Sequence, residues 1–234
     1  MTRRRALLEL ALGYGLILFV IWTPNPFQRI FYIAAILSLA AILVLSFQGC
    51  DQLGLRRTNL VRSLWIAIIA IALAAIIFLI AAHLHSLHAP HNARRLFSRY
   101  WGYALWAFVQ QILLQDVFLR RLLVLLRSPR RAAFAAATIF ALAHLPNLIL
   151  TPLTFVWGLI SCLLFLRYRN LIPLAIAHAV IGITLAVTVP SPLIRNMRVG
   201  LGFLRYSAHT HRSHIDHTVS THACVTTDAP TRLS

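Results

Sequence analysis

Three polar sites interrupt an otherwise apolar chain. The first is the run Gln110-Gln111-Ile112-Leu113-Leu114-Gln115-Asp116-Val117-Phe118-Leu119-Arg120-Arg121. The second ends the stretch Phe140-Ala141-Leu142-Ala143-His144, and the third opens His178-Ala179-Val180-Ile181-Gly182. On a helix, Gln111 and Gln115 share a face, and so do Asp116 and Arg120, with the acid N-terminal to the base. Taken singly, each site has a plain structural use. An intrahelical ion pair and amide side chains act as polar glue between helices, and a membrane histidine packs between neighbours. Taken together, they lie on three helices, and each would face lipid at a cost of roughly a few kcal/mol. Convergence on one interior, hydrated cavity lowers that cost. Two imidazoles and a carboxylate also form the facial triad of some metalloenzymes, although Arg120 beside Asp116 opposes a divalent cation.

The elements that must position these groups follow from composition. The chain has 234 residues, of which 59% are hydrophobic and 12% charged, and its mean hydropathy is +0.77. A soluble domain carries about 25% charged residues, so a soluble globular enzyme and a disordered chain are both excluded. The 22 basic side chains are all arginine, against five acids: Glu9, Asp51, Asp116, Asp216 and Asp228. The arginines cluster at the ends of apolar runs, as in membrane-protein loops, and form no continuous nucleic-acid-binding patch. Cys50, Cys162 and Cys224 are isolated and suggest neither a disulfide framework nor a zinc site.

A membrane-spanning helix takes roughly 17–25 mostly apolar residues. The runs read as seven spans: about 7–22, 30–47, 64–82, 100–126, 132–145, 152–166 and 173–189. Pro24, Pro26, Pro146, Pro190 and Pro192 punctuate them, because proline lacks the backbone donor that a helix interior needs. Trp22, Trp65 and Trp101 stand at span ends, where interfacial aromatics sit. The first run lacks a signal-peptidase-like site and reads as a retained helix. A cytoplasmic N-terminus puts 13 arginines inside and four outside before the tail, which favours that orientation. Arg195, Arg198 and Arg205 then fall outside and disagree with it, so either an eighth passage exists or one short segment does not span. Residues 207–234 are rich in Ser, Thr and His and read as a disordered tail. The tail's His209, His211, His214 and His217 read as chance rather than a metal site. His83, His85, His88 and His91 read as membrane–water boundary residues.

At the three polar sites the chain resembles the CPBP family of intramembrane proteases, the CAAX-protease and bacteriocin-processing (Abi) group. That family carries Glu-Glu-x-x-x-Arg, Phe-x-x-x-His and His-x-x-x-Asn/Asp on successive core helices. Gln115-Asp116 to Arg120 occupies the first motif, Phe140 to His144 fits the second, and His178 to Gly182 occupies the third, with Gly in place of Asn or Asp. A second register pairs Asp116 with Arg121. The resemblance covers about residues 100–189. It implies a glutamate as general base on a water, a motif-two histidine that orients the water, and a motif-three histidine and Asn that stabilise the oxyanion. Amide hydrolysis needs such a base and such donors.

The resemblance therefore implies an all-α polytopic bundle of about seven to eight spans. Residues 1–99 would form N-terminal helices, 100–190 the catalytic core, 191–206 an interfacial segment and 207–234 the tail. Asp116, His144 and His178 would be the core of the site. Gln115 stands where the base is expected, Arg120 holds the acidic motif, and Phe140, Asn147 and Gly182 contact substrate. An amide cannot take up a proton at neutral pH. Either Asp116 substitutes as base or the chain is a catalytically inactive homologue that binds a membrane peptide. A small transporter is the third class, and the sequence shows no inverted repeat to support it. The expected partners are a peptide or membrane-protein substrate and the lipid bilayer, with no nucleic acid. No cofactor is expected, a divalent metal being the lesser alternative. The expected location is the bacterial inner membrane.

Overall fold

The computed structural model describes residues 1–56, 59–87 and 92–206. His88, His91 and the tail from 207 onward, with its four histidines, lie outside the described residues. Helix α1 (Arg3–Trp22) starts at Thr2, whose side chain accepts from Arg5 N, and stops before Pro24. Helices α2 (Gln28–Leu45) and α3 (Leu60–His83) follow. Helix α4 (Ala93–Ile112) continues without a break into a π-helical segment (Leu113–Leu119) and α5 (Arg120–Leu126). Helix α6 (Pro129–Leu142) begins with proline in its first turn, where the missing N–H costs nothing. Helices α7 (Leu150–Tyr168) and α8 (Ile172–Thr188) complete the bundle, and a short α9 (Ser191–Ile194) follows. No strand occurs among the described residues.

Four helices, α1, α2, α3 and α7, are long and apolar enough to cross a bilayer, and α8 is a shorter apolar helix. The exposed surface matches lipid. Val44, Val61 and Leu79 are each about 70–80% exposed, far from the behaviour of a soluble core. The protein is a multi-pass, all-α membrane bundle. Helix α6 packs on α7, α3 and α4 pack on α8, and α1 packs on α2 and α5. The α6–α7 crossing is close because it is made of small residues: Ala132, Ala133, Ala136 and Ala137 are fully buried. A Cβ built on Gly158 would lie 3.3 Å from the Ala137 backbone.

Three expectations change. The fourth helix begins at Ala93 and not near Tyr100, because Asn92 caps it by accepting from Arg95 N. The segment after α8, expected to be amphipathic and interfacial, also packs back on the bundle. It closes the break between α6 and α7: Asn147 Nδ2 donates to Ile194 O (2.9 Å) and Gly200 N donates to Leu145 O (2.8 Å). Gly200 has φ +53°, and any side chain there would overlap Ile21.

The third change concerns the acids. The Asp116–Arg120 ion pair is not formed; among the described residues both salt bridges use Glu9. The wider i→i+5 turn of the π segment brings residue 121 back over residue 116, so the i,i+4 rule fails there. Arg121, fully buried, bonds the Asp116 carbonyl, Ser46 Oγ (3.0 Å) and Glu9 Oε2 (3.0 Å). Arg120 instead bonds the Gln52 side chain. Glu9→Gln leaves the Arg121 guanidinium buried without a counter-charge, a change that costs about 3 kcal/mol. A clear fall in thermal midpoint in detergent is expected, with part of it recovered in Glu9→Leu/Arg121→Met.

Candidate active site

The site is built where two helices end or distort. Pro146 stops α6, and the last turns tighten: His144 N bonds Ala141 O (2.8 Å) and Leu145 N bonds Leu142 O (3.3 Å). The Phe140 carbonyl thereby loses its helical donor. The His144 ring supplies a replacement, with Nδ1 2.7 Å from Phe140 O. A carbonyl only accepts, so Nδ1 carries the proton and Nε2 keeps a free lone pair.

His178 is set the other way by a chain of side chains. Ser161 Oγ donates to Gly158 O (3.1 Å). It therefore accepts from Gln115 Nε2 (3.3 Å), which also donates to Gln111 Oε1 (3.2 Å). With its oxygen fixed toward Gln115, Gln111 turns its amide N–H toward His178 Nδ1 (3.3 Å). That ring nitrogen accepts, so His178 holds its proton on Nε2. Gln111, Gln115 and Ser161 are 0–1% exposed, so no water competes for these bonds.

Phe140 stands beside both rings. Its centroid is 4.9 Å from that of His144 and 6.1 Å from that of His178, both edge-on. The Trp157 ring lies 5.9 Å from His178. All four residues line one cavity of about 1320 Å³, which also has Tyr103, Gln110, Thr154 and Gly182 on its wall. The rest of the lining is largely apolar.

The sequence-selected residues fall into two groups. The structure brings Phe140, His144, His178 and Gly182 to one cavity, with Gln115 behind it. Asp116, Arg120 and Asn147 are not on the cavity wall. Asp116 is 2% exposed, its Oδ2 has no hydrogen-bond partner, and no bond joins it to either histidine. The two histidines and Asp116 do not assemble as a metal-ligand set among the described residues. Asn147 is a structural staple: its Nδ2 also donates to Arg198 O (3.3 Å), and its Oδ1 caps α7 by accepting from Leu150 N (3.0 Å).

Sequence reasoning gave Gln110 no role and read Gln111 only as polar glue between helices. Gln110 lines the cavity and Gln111 holds His178. A signal was present: Gln110-Gln111-x-x-x-Gln115 has the spacing of Glu-Glu-x-x-x-Arg with an amide at each position. The carboxylate at Asp116 drew the register five residues further along the helix. Nitrogen-15 spectra of histidine-labelled protein are expected to show His144 protonated at Nδ1 and His178 at Nε2. Gln111→Leu should abolish the His178 preference alone; identical tautomers for both rings in the unaltered protein would contradict the network.

Residues 97–184 match the family model described as type II CAAX prenyl endopeptidase Rce1-like. The stretch runs from the first turns of α4 into α8 and contains both histidines, the three glutamines and Gly182. No curated protein and no solved structure matches the chain. Over residues 97–184, the core of this membrane bundle, the chain is similar to the type II CAAX prenyl endopeptidases of the Rce1-like family.

Proposed function

We propose that the protein is an intramembrane peptide hydrolase in which an imidazole does the work of the missing glutamate. The observation that carries this reading is a pair of histidines on one cavity wall whose hydrogen-bond partners favour opposite tautomers. His144 presents a lone pair and His178 presents an N–H. A water held by His144 Nε2 gives that nitrogen a proton as its oxygen bonds the substrate carbonyl carbon. The carbonyl electron pair moves onto oxygen, where His178 Nε2–H stabilises it. Collapse returns the pair, breaks the C–N bond, and the proton on His144 passes to the leaving amine. Gln111, Gln115 and Ser161 act as positioning residues, since they fix which nitrogen of His178 donates. The apolar lining suits a hydrophobic peptide or a membrane-embedded segment.

A second reading has its own support. Amides occupy all three positions of the acidic motif, and no carboxylate lies on the cavity wall. The same cavity would then hold a membrane peptide without cutting it. Cleavage of internally quenched peptides, with and without a prenylated cysteine, by protein in liposomes separates the two. Hydrolysis by the unaltered chain should fall about 10²–10⁴-fold in His144→Ala, the range of a lost general base. Asp116→Asn should change it only a few-fold, and Gln110→Glu, which puts a carboxylate on the cavity wall, should raise it at least about tenfold. Turnover in the unaltered chain no higher than in His144→Ala/His178→Ala would establish the binding role instead.

A further inference from the structure

We infer that the Tyr103 hydroxyl is a second oxyanion donor, standing where the side chain of residue 182 would otherwise be. This rests on the hydrolytic reading above. Gly182 lies four residues after His178, so it shares that face of α8, with Cβ positions about 5–6 Å apart. The family pattern puts Asn or Asp there, and here no side chain exists. The space is nevertheless filled. A Cβ built on Gly182 would run into the Tyr103 hydroxyl and lie 2.6 Å from ring carbon Cε1. Tyr103 reaches this point from α4, the helix that also carries Gln111, and α4 packs directly on α8.

Both Tyr103 and Gly182 line the cavity with His144 and His178. Among the described residues the phenol makes no hydrogen bond, and its oxygen is not among the sealed, unpartnered polar atoms. A tyrosine hydroxyl that reaches into a cavity with its proton uncommitted is a donor in waiting. The glycine is explained by the same contact: any side chain at 182 would evict the phenol. Tyr103 and Gly182 therefore act as an exchanged pair, the donor moved from α8 to α4 with its endpoint retained. In the hydrolytic step the carbonyl electron pair that moves onto oxygen is shared by His178 Nε2–H and Tyr103 O–H, and returns to the carbonyl when the C–N bond breaks.

The test uses the full chain in liposomes with two readouts. One is cleavage of a quenched peptide. The other is binding of a peptidyl phosphonate, which carries a tetrahedral oxyanion, against the matching peptidyl alcohol, which does not. Tyr103→Phe should lower kcat about 10²-fold with KM within two-fold, as loss of one oxyanion donor does. It should weaken the phosphonate at least tenfold and leave the alcohol and the thermal midpoint unchanged. Tyr103→Ala/Gly182→Asn should recover at least tenfold over Tyr103→Ala by returning the donor to α8. Unchanged kcat in Tyr103→Phe overturns the assignment while leaving the histidines in place. If the unaltered chain binds phosphonate but does not cleave, hydrolysis is wrong. Equal phosphonate affinity in Tyr103→Phe then overturns the Tyr103 donor as well. Failure of the unaltered chain to bind the phosphonate or cleave overturns both.

Discussion

A guanidinium with no exposed surface has to be surrounded by acceptors, and Arg121 is such a group. It sits where the π segment ends and gathers one acceptor from each element nearby: Glu9 of α1, Ser46 just after α2, and the Asp116 carbonyl of its own helix. Bilayer lipid would satisfy none of these groups. The N-terminal helices are therefore held against the core by a polar contact in a region where apolar packing alone gives little preference between lipid and protein. Their position matters for the site, because α1 and α2 supply one wall of the cavity through Tyr14, Ile17, Ala35 and Leu39.

The same π segment separates two jobs that a regular helix would mix. Upstream of it, Gln110 lines the cavity and Gln111 holds His178; within it, Gln115 links Gln111 to α7; at its end, Arg120 and Arg121 turn toward Gln52 and the N-terminal helices. π-bulges are found disproportionately at functional sites because an extra residue in one turn re-aims every side chain beyond it. Here the re-aiming gives Asp116 a place behind the cavity, with its carbonyl held by Arg121. The five acids of the chain then divide differently from a simple count. Glu9 is as structurally committed as Asp116, and neither stands beside a histidine.

Much of the architecture is legible from composition and periodicity. Apolar runs, arginine-flanked loops and proline breaks place seven helical rods within a few residues of their observed bounds, apart from the start of α4. Phe140–His144 and His178–Gly182 are legible as well: the second pair keeps its spacing on the regular helix α8, and in the first the His144 ring bonds back to Phe140 O although α6 has ended at Leu142. The first motif is not. Its reading depends on which face residues 110–121 present, and a π segment changes that face without any composition signal. The tautomers are also invisible in sequence, since they depend on Ser161 and Gln115 meeting across 46 positions. Glu9 looks like a stray acid near a terminus until its partner, 112 residues away, is known.

The shortness of α6 joins the membrane constraint to the chemistry. Fourteen residues rise about 21 Å, less than the roughly 30 Å of hydrocarbon core. Irregular backbone at that depth survives only where protein or a hydrated cavity satisfies it. Several groups at the break have partners of that kind: Leu145 O takes Gly200 N, Asn147 supports Ile194 and α7, and Phe140 O takes the His144 ring. The last of these is the one with chemical consequence. The hydrogen bond that makes the helix end tolerable in the membrane also places the His144 proton on Nδ1 and leaves Nε2 with its lone pair. A longer α6 would satisfy Phe140 O with a backbone N–H and leave the ring free to take either tautomer. The premature helix end thus favours the tautomer that the proposed hydrolysis would use.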